Sequence, residues 1–196
     1  AQFYTLDPAT KEVSLLAPYE DAVGPSVGSD CRLGGGDEWT VSGDKLYFTA
    51  TIRNASQVFC LEKTGDIRPV YTREGSVDCV ALQEDALYFV GMQDMQLQEV
   101  YRWDGKERRQ LTCLNQDALR EKYVARPEKL TFYNDGVDLD GWVLYPKDFD
   151  PQRSYPGILD IHGGPKTVYG EVFYHEMQFW ASQGYVVFFC NPRGGD

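Results

Sequence analysis

Short apolar runs that alternate with polar, glycine-containing turns dominate the first two thirds of the chain. The run DKLYFTA begins at position 44, and the similar run DALYFVG begins at position 85, which is 41 residues later. Each run is followed by a loop, an alternating segment, a turn at Thr64–Asp66 or Asp104–Lys106, and a further strand-like segment. Such runs and turns predict antiparallel strands joined as hairpins. Four short strands that recur about every 40 residues are typical of a β-propeller blade.

The segments around these two units extend the repeat. Residues 2–18 match the second half of a unit, and residues 77–83 supply a strand between the units. An antiparallel sandwich also has short strands and polar turns, but it does not require them to recur at a fixed offset. We therefore predict the C-terminal blades of a β-propeller over residues 1–124. About three blades fit into this segment, whereas propellers close with about four to eight, so we expect the ring to begin before Ala1.

The pattern changes near residue 124. Residues 115–123 combine a cap residue, an acidic first turn and basic residues late in the segment, which predicts a short linking helix. Residues 128–146 then form two alternating runs on either side of Asn134–Gly136, which predicts a β-hairpin.

Two continuous apolar runs follow the hairpin, at residues 158–161 and 185–191. Strands that are apolar throughout are expected to be buried on both faces, as in a parallel sheet covered by helices. Residues 174–183, between these runs, have apolar positions near helical spacing and precede Gly184, which suits a helix C-terminus. The order hairpin, strand, helix, strand predicts the first part of an α/β domain over residues 125–196.

Composition and charge narrow the function. The chain has 196 residues, a formal net charge of −11 and a hydrophobic content of 42%, which indicates a globular protein and argues against nucleic-acid binding. No apolar run approaches the roughly 18 residues of a membrane span, so no membrane partner is expected. No His, Cys and Glu cluster has metal-ligand spacing, and neither a metal nor a cofactor is expected. The cysteines lack CxxC spacing, which favours reduced thiols in a cytoplasmic protein: Cys31, Cys60, Cys79, Cys113 and Cys190.

The most informative motif is His162-Gly163-Gly164-Pro165, directly after the apolar run 158–161. It lies at the end of the third strand counted from the hairpin. In α/β-hydrolases a backbone N–H from the loop after the third strand helps to form the oxyanion hole, often within a His-Gly-Gly turn. The glycines let this N–H face a reacting carbonyl without an intervening side chain. The alternative is an ordinary turn between a strand and a loop.

The propeller pattern, the segment LDIHGGP and the segment ASQGYVVFFCNPRG together resemble the prolyl oligopeptidase family of serine peptidases. The resemblance implies a β-propeller joined to an α/β-hydrolase domain. A His at position 162 resembles the acylaminoacyl-peptidase branch of the family. Prolyl oligopeptidase itself and the dipeptidyl-peptidase IV type carry a Tyr at this place, and its hydroxyl is a donor to the oxyanion. The resemblance then implies the N–H of Gly164 as oxyanion donor, with Gly163 setting the turn. Residues 191–194 match the family's turn after the fourth strand, and we interpret Arg193 as a brace for the loops around the site.

The nucleophile, acid and base of such an enzyme are not expected in this chain. The fold carries its serine on a Gly-x-Ser-x-Gly elbow between a strand and a helix, followed by Asp and His. Gly24-Pro25-Ser26-Val27-Gly28 matches the elbow pattern, but no apolar strand precedes it and three consecutive glycines follow. We therefore predict that Ser26 lies in a propeller loop. His175 is interpreted as a surface or half-buried helix residue, and the acidic hairpin tip at Asp135, Asp138 and Asp140 as a solvated turn rather than a Ca²⁺ site.

Three hypotheses for the function stay open at this point. The first is a segment of a serine peptidase that hydrolyses short peptides by acyl transfer, with the propeller limiting access and 162–164 forming an oxyanion-hole turn. The second is a non-catalytic propeller scaffold with a degenerate hydrolase domain, and the third is an esterase fused to a propeller. The first implies an oligopeptide substrate and the remainder of the same polypeptide as partner, with homo-oligomerisation left open. The 196-residue segment alone is predicted to be inactive.

Overall fold

The computed structural model describes residues 1–84, 86–164 and 166–193, and most of its regular structure is β-sheet. Asp85, Pro165 and Gly194, which belong to the motifs above, lie outside the described residues. The first eleven strands are β1 (Gln2–Leu6), β2 (Val13–Pro18), β3 (Ala22–Val23), β4 (Trp39–Ser42), β5 (Lys45–Ile52), β6 (Ala55–Glu62), β7 (Ile67–Tyr71), β8 (Ser76–Gln83), β9 (Ala86–Met92), β10 (Glu99–Trp103) and β11 (Arg108–Gln110). The remaining elements are α1 (Gln116–Leu119), β12 (Glu128–Asn134), β13 (Val137–Leu144), β14 (Gly157–Asp160), α2 (His175–Ser182) and β15 (Val186–Cys190).

Two antiparallel meander sheets hold the repeated units. In the first, β4, β5, β6 and β7 pair in succession, and the short β3 also pairs with β5. In the second, β8, β9, β10 and β11 pair in the same order. The two runs that lie 41 residues apart in the sequence thus occupy β5 and β9, the second strand of each sheet. Strands β1 and β2 form a separate pair, and no closed ring of sheets occurs within the described residues.

The two meander sheets share one apolar core. Val58 and Tyr71 from the first sheet pack against Leu87, Phe89 and Tyr101 from the second, and all five are buried. The rings of Tyr71 and Phe89 lie 4.8 Å apart and those of Phe89 and Tyr101 lie 5.2 Å apart. These side chains come from β6, β7, β9 and β10, and Leu87 and Phe89 share one face of β9 because side chains alternate along a strand.

A mixed sheet of four strands follows, in the order β12-β13-β15-β14. Strand β13 pairs antiparallel with β12 on one side and with β15 on the other, whereas β15 and β14 are parallel and are connected through α2. The predicted order of hairpin, strand, helix and strand is therefore present. Helix α2 covers one face of this sheet, where Trp142, Tyr169, Met177 and Phe189 are among the buried residues.

Two local expectations were wrong. The linking helix α1 covers only Gln116–Leu119, and the Asn115 side chain does not cap it; the Asn115 Nδ2 donates instead to the Gln98 carbonyl at 2.8 Å and to the Glu99 carboxylate at 3.1 Å. The segment 158–161 is not buried on both faces among the described residues. Leu159 and Ile161 are 57% and 73% exposed, since β14 is an edge strand there.

A loop of the N-terminal part binds the C-terminal part directly. Val27 and Val168 form a parallel β-bridge, in which the Gly28 N–H donates to the Val168 carbonyl at 2.8 Å and the Val168 N–H donates to the Ser26 carbonyl at 3.2 Å. The Asp30 carboxylate then accepts the first two N–H groups of α2, from His175 at 2.6 Å and Glu176 at 2.8 Å. Asp30 thus caps a helix that begins 145 residues later in the chain.

Candidate functional site

The turn at residues 161–164 leaves the sheet at the end of β14 and is exposed at both glycines. A Cβ added to Gly163 or Gly164 would meet no heavy atom within 4 Å, and neither glycine has a positive φ. Within the described residues, neither backbone N–H has a hydrogen-bond acceptor. The turn therefore presents N–H groups in open space. A left-handed conformation does not require glycine at either position.

His162 is packed inward beside this turn. Its Nδ1 lies 2.6 Å from the Gly163 carbonyl oxygen, so this nitrogen carries the hydrogen and donates it. Its Nε2 is buried and has no partner among the residues that the structure describes. The ring meets the Tyr169 ring edge-on, with the centroids 4.9 Å apart. These contacts support the structural interpretation of His162.

Tyr169 links the two ends of the loop that contains the turn. Its hydroxyl donates to the Asp160 carboxylate, and its ring is buried against Phe189 at 5.3 Å between centroids. Burial, together with the hydrogen bond to Asp160, raises the pKa of the Tyr169 hydroxyl. The hydroxyl therefore remains a protonated donor even at a pH at which an ordinary tyrosine would ionise.

Asn191 fixes the main chain of Tyr169 from the neighbouring strand. The Tyr169 N–H donates to the Asn191 Oδ1 at 2.7 Å, and the Asn191 Nδ2 donates to the Tyr169 carbonyl at 2.9 Å. The Asn191 N–H in turn donates to the Asp140 carbonyl at 3.0 Å, on β13. Sequence reasoning missed the side chains of Tyr169, Asp160 and Asn191, because nothing in their spacing indicates that they meet.

Arg193 follows Asn191 by two residues and contacts the β12–β13 hairpin. Its Nη1 is 3.5 Å from the Asp135 carbonyl oxygen at the tip of the β12–β13 hairpin, a contact that fits the interpretation as a brace between loops. Arg193 also lines a cleft of about 240 Å³ that is bounded by Arg53, Asp138 and Asn191.

One carboxylate of the acidic hairpin, that of Asp140, is paired with cationic side chains of the protein. Asp140 is buried, with Arg53 Nη2 2.8 Å and Lys129 Nζ 3.7 Å from its carboxylate oxygens. Throughout the described ranges, no group of three or more His, Cys, Asp or Glu side chains could hold a metal ion. Asp135 and Asp138 are exposed, as the interpretation as a solvated turn expected, but for Asp140 that interpretation was wrong, since its side chain is buried on β13 and paired with Arg53.

Ser26 does not lie on a strand-to-helix elbow. Its backbone N–H donates to Thr51 Oγ1 at 2.8 Å and its carbonyl accepts from Val168, so it belongs to the loop that joins the two parts of the chain. Within the described part of the chain, neither histidine is hydrogen-bonded to it. His175 is exposed at the start of α2.

No described helix has the length and apolar character that a membrane-spanning segment requires. All five cysteines are free thiols.

Comparisons with known proteins give relatives that are named as peptidases. The chain is 30% identical over 172 residues to the uncharacterized peptidase YuxL of Bacillus subtilis, covering 84% of this chain and 26% of that protein. It is 42% identical over 67 residues to dipeptidyl-peptidase 5 of Aspergillus fumigatus, covering 32% of this chain and 9% of that protein. Among solved structures, the acylaminoacyl peptidase of Pyrococcus horikoshii matches with a TM-score of 0.72 and 30% identity, covering 81% of this chain and 25% of that one. No family model matches the chain.

The chain spans about a quarter of the length of the peptidase from Bacillus subtilis and of the Pyrococcus horikoshii structure.

Proposed function

Because its peptidase homologues support the assignment of this chain to the prolyl oligopeptidase family, we propose that it is one segment of a serine peptidase that hydrolyses short peptides by acyl transfer. The remainder of the same polypeptide would supply the serine, aspartate and histidine. The names of the homologues support peptide hydrolysis in general. The serine mechanism and the roles of individual residues are our proposal.

The domain assignment belongs to the proposal as well. We assign residues 1–124 to the C-terminal blades of a β-propeller and 125–196 to the first part of an α/β-hydrolase domain. Two successive four-strand meanders that share a core support the first assignment. A parallel pair of strands connected through α2, with a hairpin before it, supports the second. A propeller beside the site would admit oligopeptides and exclude folded proteins.

The observation that carries the proposal is the open turn at residues 162–164. Gly164 presents a backbone N–H with no acceptor among the described residues and no atom within 4 Å of its Cβ position. In the proposed reaction a serine oxygen outside this chain attacks the scissile carbonyl, while a histidine takes the serine proton. The carbonyl oxygen becomes an oxyanion, which the Gly164 N–H stabilises by hydrogen bonding. The C–N bond then breaks as the histidine gives its proton to the leaving amine, and water releases the acyl group.

Gly163, His162 and Arg193 have supporting roles in this proposal. Gly163 accepts a hydrogen bond from the His162 ring through its carbonyl, so the Gly164 N–H, on the opposite side of the same trans peptide, points away from that ring. Arg193 braces the turn after β15 against the hairpin tip. No cofactor is needed for this chemistry, and a cytoplasmic location stays a prediction.

A substrate panel on the full-length polypeptide tests the proposal. Aminoacyl and acylaminoacyl p-nitroanilides are compared with p-nitrophenyl esters of simple carboxylic acids at equal enzyme concentration. The proposal predicts amide hydrolysis that a fluorophosphonate abolishes. Hydrolysis of the esters alone would support the propeller-fused esterase instead, and hydrolysis of neither class would support the non-catalytic scaffold.

A further inference from the structure

The turn at residues 161–164 has almost no hydrogen bonds of its own. Among Ile161–Gly164, Lys166 and Thr167, the described hydrogen bonds are limited to the one between the His162 ring and the Gly163 carbonyl. Both glycines are exposed, and among the described residues no side chain lies within 4 Å of a Cβ added to either of them. A loop with so few internal contacts is positioned by the residues at its two ends, which here are Asp160 and the Val168–Tyr169 pair.

Tyr169 closes this loop. Its hydroxyl donates to Asp160, the last residue of β14, so one hydrogen bond joins the residue before the turn to the residue after it. The ring is only 3% exposed and makes edge contacts with both His162 and Phe189, at 4.9 and 5.3 Å between centroids. Because an aromatic ring in such a packed site has few alternative rotamers, the hydroxyl fixes Asp160 and the ring face fixes His162.

The main chain of Tyr169 is held equally firmly. The side-chain amide of Asn191 exchanges two hydrogen bonds with the Tyr169 N–H and carbonyl, at 2.7 and 2.9 Å. On the preceding residue, Val168 exchanges two hydrogen bonds with Ser26 and Gly28 from the N-terminal part. Tyr169 therefore cannot move relative to β15, or relative to the loop at residues 26–28, without breaking several bonds.

From this geometry we propose that Tyr169 is a positioning residue for the oxyanion-hole turn, acting through its hydrogen bond to Asp160 and its contact with His162. The inference rests on the proposed function, and goes beyond it by assigning the support of the turn to a side chain that does not touch the substrate. An oxyanion donor is effective only at about 2.7–3.1 Å from the developing charge. A misplacement of about 1 Å in such a site can cost about 10²-fold in rate.

The test uses Tyr169→Phe in the full-length polypeptide, which removes one hydroxyl and keeps the ring. Tyr174→Phe is the matched control, since Tyr174 lies close by, at 6.0 Å between ring centroids, and its hydroxyl has no partner among the described residues. Hydrolysis of an acylaminoacyl p-nitroanilide is measured for both variants together with their Tm. We expect kcat to fall at least about tenfold in Tyr169→Phe with KM within about twofold, and to stay at the parental value in Tyr174→Phe.

Two further readouts separate positioning from general stability. A peptidyl boronic acid forms a tetrahedral adduct that uses the oxyanion hole, so its Ki should rise in Tyr169→Phe by the same factor by which kcat falls, while the Ki of a product peptide stays unchanged. Asp160→Asn keeps an acceptor oxygen and should retain most of the activity. Asp160→Ala should lose as much as Tyr169→Phe, and the double variant Tyr169→Phe with Asp160→Ala should lose no more than either alone.

The outcomes are distinguishable from failure of the proposed function. If the parental protein hydrolyses the anilide and Tyr169→Phe does so at the same kcat, the inference is overturned and the peptidase proposal stands. A loss that follows the fall in Tm equally in Tyr169→Phe and Tyr174→Phe also overturns the inference, because it would indicate packing alone. A parental protein that hydrolyses no amide overturns both.

Discussion

Replacing Gly164 separates the loss of a backbone donor from a change in shape. Gly164→Pro deletes the N–H, whereas Gly164→Ala keeps it and adds one methyl group. The structure makes alanine a fair control, because its Cβ would meet no atom within 4 Å and the φ of Gly164 is not positive. Proline at position 164 also restricts the preceding residue, but Gly163 is free of a Cβ and tolerates that restriction.

The expected magnitude follows from the role of the N–H. Removal of one oxyanion-hole donor costs about 10²–10³ in kcat in acyl-transfer enzymes, or about 2.7–4 kcal/mol of transition-state stabilisation. Gly164 makes no hydrogen bond within the described residues, so the ground state of the protein loses nothing comparable when the N–H is deleted. We therefore expect kcat to fall by that factor in Gly164→Pro and by less than about threefold in Gly164→Ala, with similar Tm for both.

The assay is anilide hydrolysis by the full-length polypeptide, normalised to the fraction of active sites and accompanied by thermal unfolding. A folded Gly164→Pro protein with parental turnover would remove this turn from the oxyanion hole. Equal losses in the proline and alanine variants would also refute the reasoning, because they would show that shape rather than the donor matters.

Three further predictions concern stability. A Cβ at position 170 would lie 2.2 Å from the Asn54 carbonyl oxygen, so Gly170→Ala should lower the unfolding free energy by about 1–3 kcal/mol in urea titrations, and an unchanged midpoint would contradict this contact. Asp30→Ala removes the cap of α2 and should cost about 1 kcal/mol, whereas Asp30→Asn should recover most of it; equal stability of all three proteins would argue against the cap. Burial raises the pKa of Tyr19 from 10.0 to about 12, so the neutral phenol stabilises the folded state below pH 10 and this contribution is lost as the pH rises through 12. Tyr19→Phe should weaken the pH dependence of unfolding in that window, and an identical dependence would contradict it.

The strands were predictable from the sequence because their information is local. The apolar runs at β5 and β9 lie within the strands themselves, and the turn after β6 contains Gly65, whose positive φ suits a tight hairpin. Helix α2 was predicted within one residue at each end, since its spacing and the C-terminal Gly184 both lie within the segment itself.

The long-range contacts were not predictable in the same way. Asp30 caps α2 from 145 residues away. Val27 and Val168 form an isolated bridge outside the named strands, so no strand pattern in the sequence predicts their pairing. The cap expected at Asn115 was wrong: its Nδ2 donates to the buried carboxylate of Glu99, and its side chain makes no capping hydrogen bond to α1. The hydrogen-bond partner of a polar side chain depends on which groups the tertiary structure brings near it, and the local sequence does not show these groups.

Only the His-Gly-Gly motif of the candidate site was predictable from the sequence. His162-Gly163-Gly164 after an apolar run indicated a turn at a strand end, which the structure has. The residues that hold this turn, Tyr169 and Asn191, come from a loop and from the end of another strand. They meet only in the tertiary structure, where the Asn191 side chain exchanges two hydrogen bonds with the Tyr169 main chain.

The central claim is that this chain contributes the oxyanion turn, but not the nucleophile, to a serine peptidase. It is tested most directly by labelling the full-length polypeptide with a fluorophosphonate and identifying the modified residue by mass spectrometry. We predict one labelled serine outside residues 1–196, with labelling unaffected by Ser26→Ala. A label on Ser26 that Ser26→Ala abolishes, or no labelled serine in a folded protein, would contradict the account.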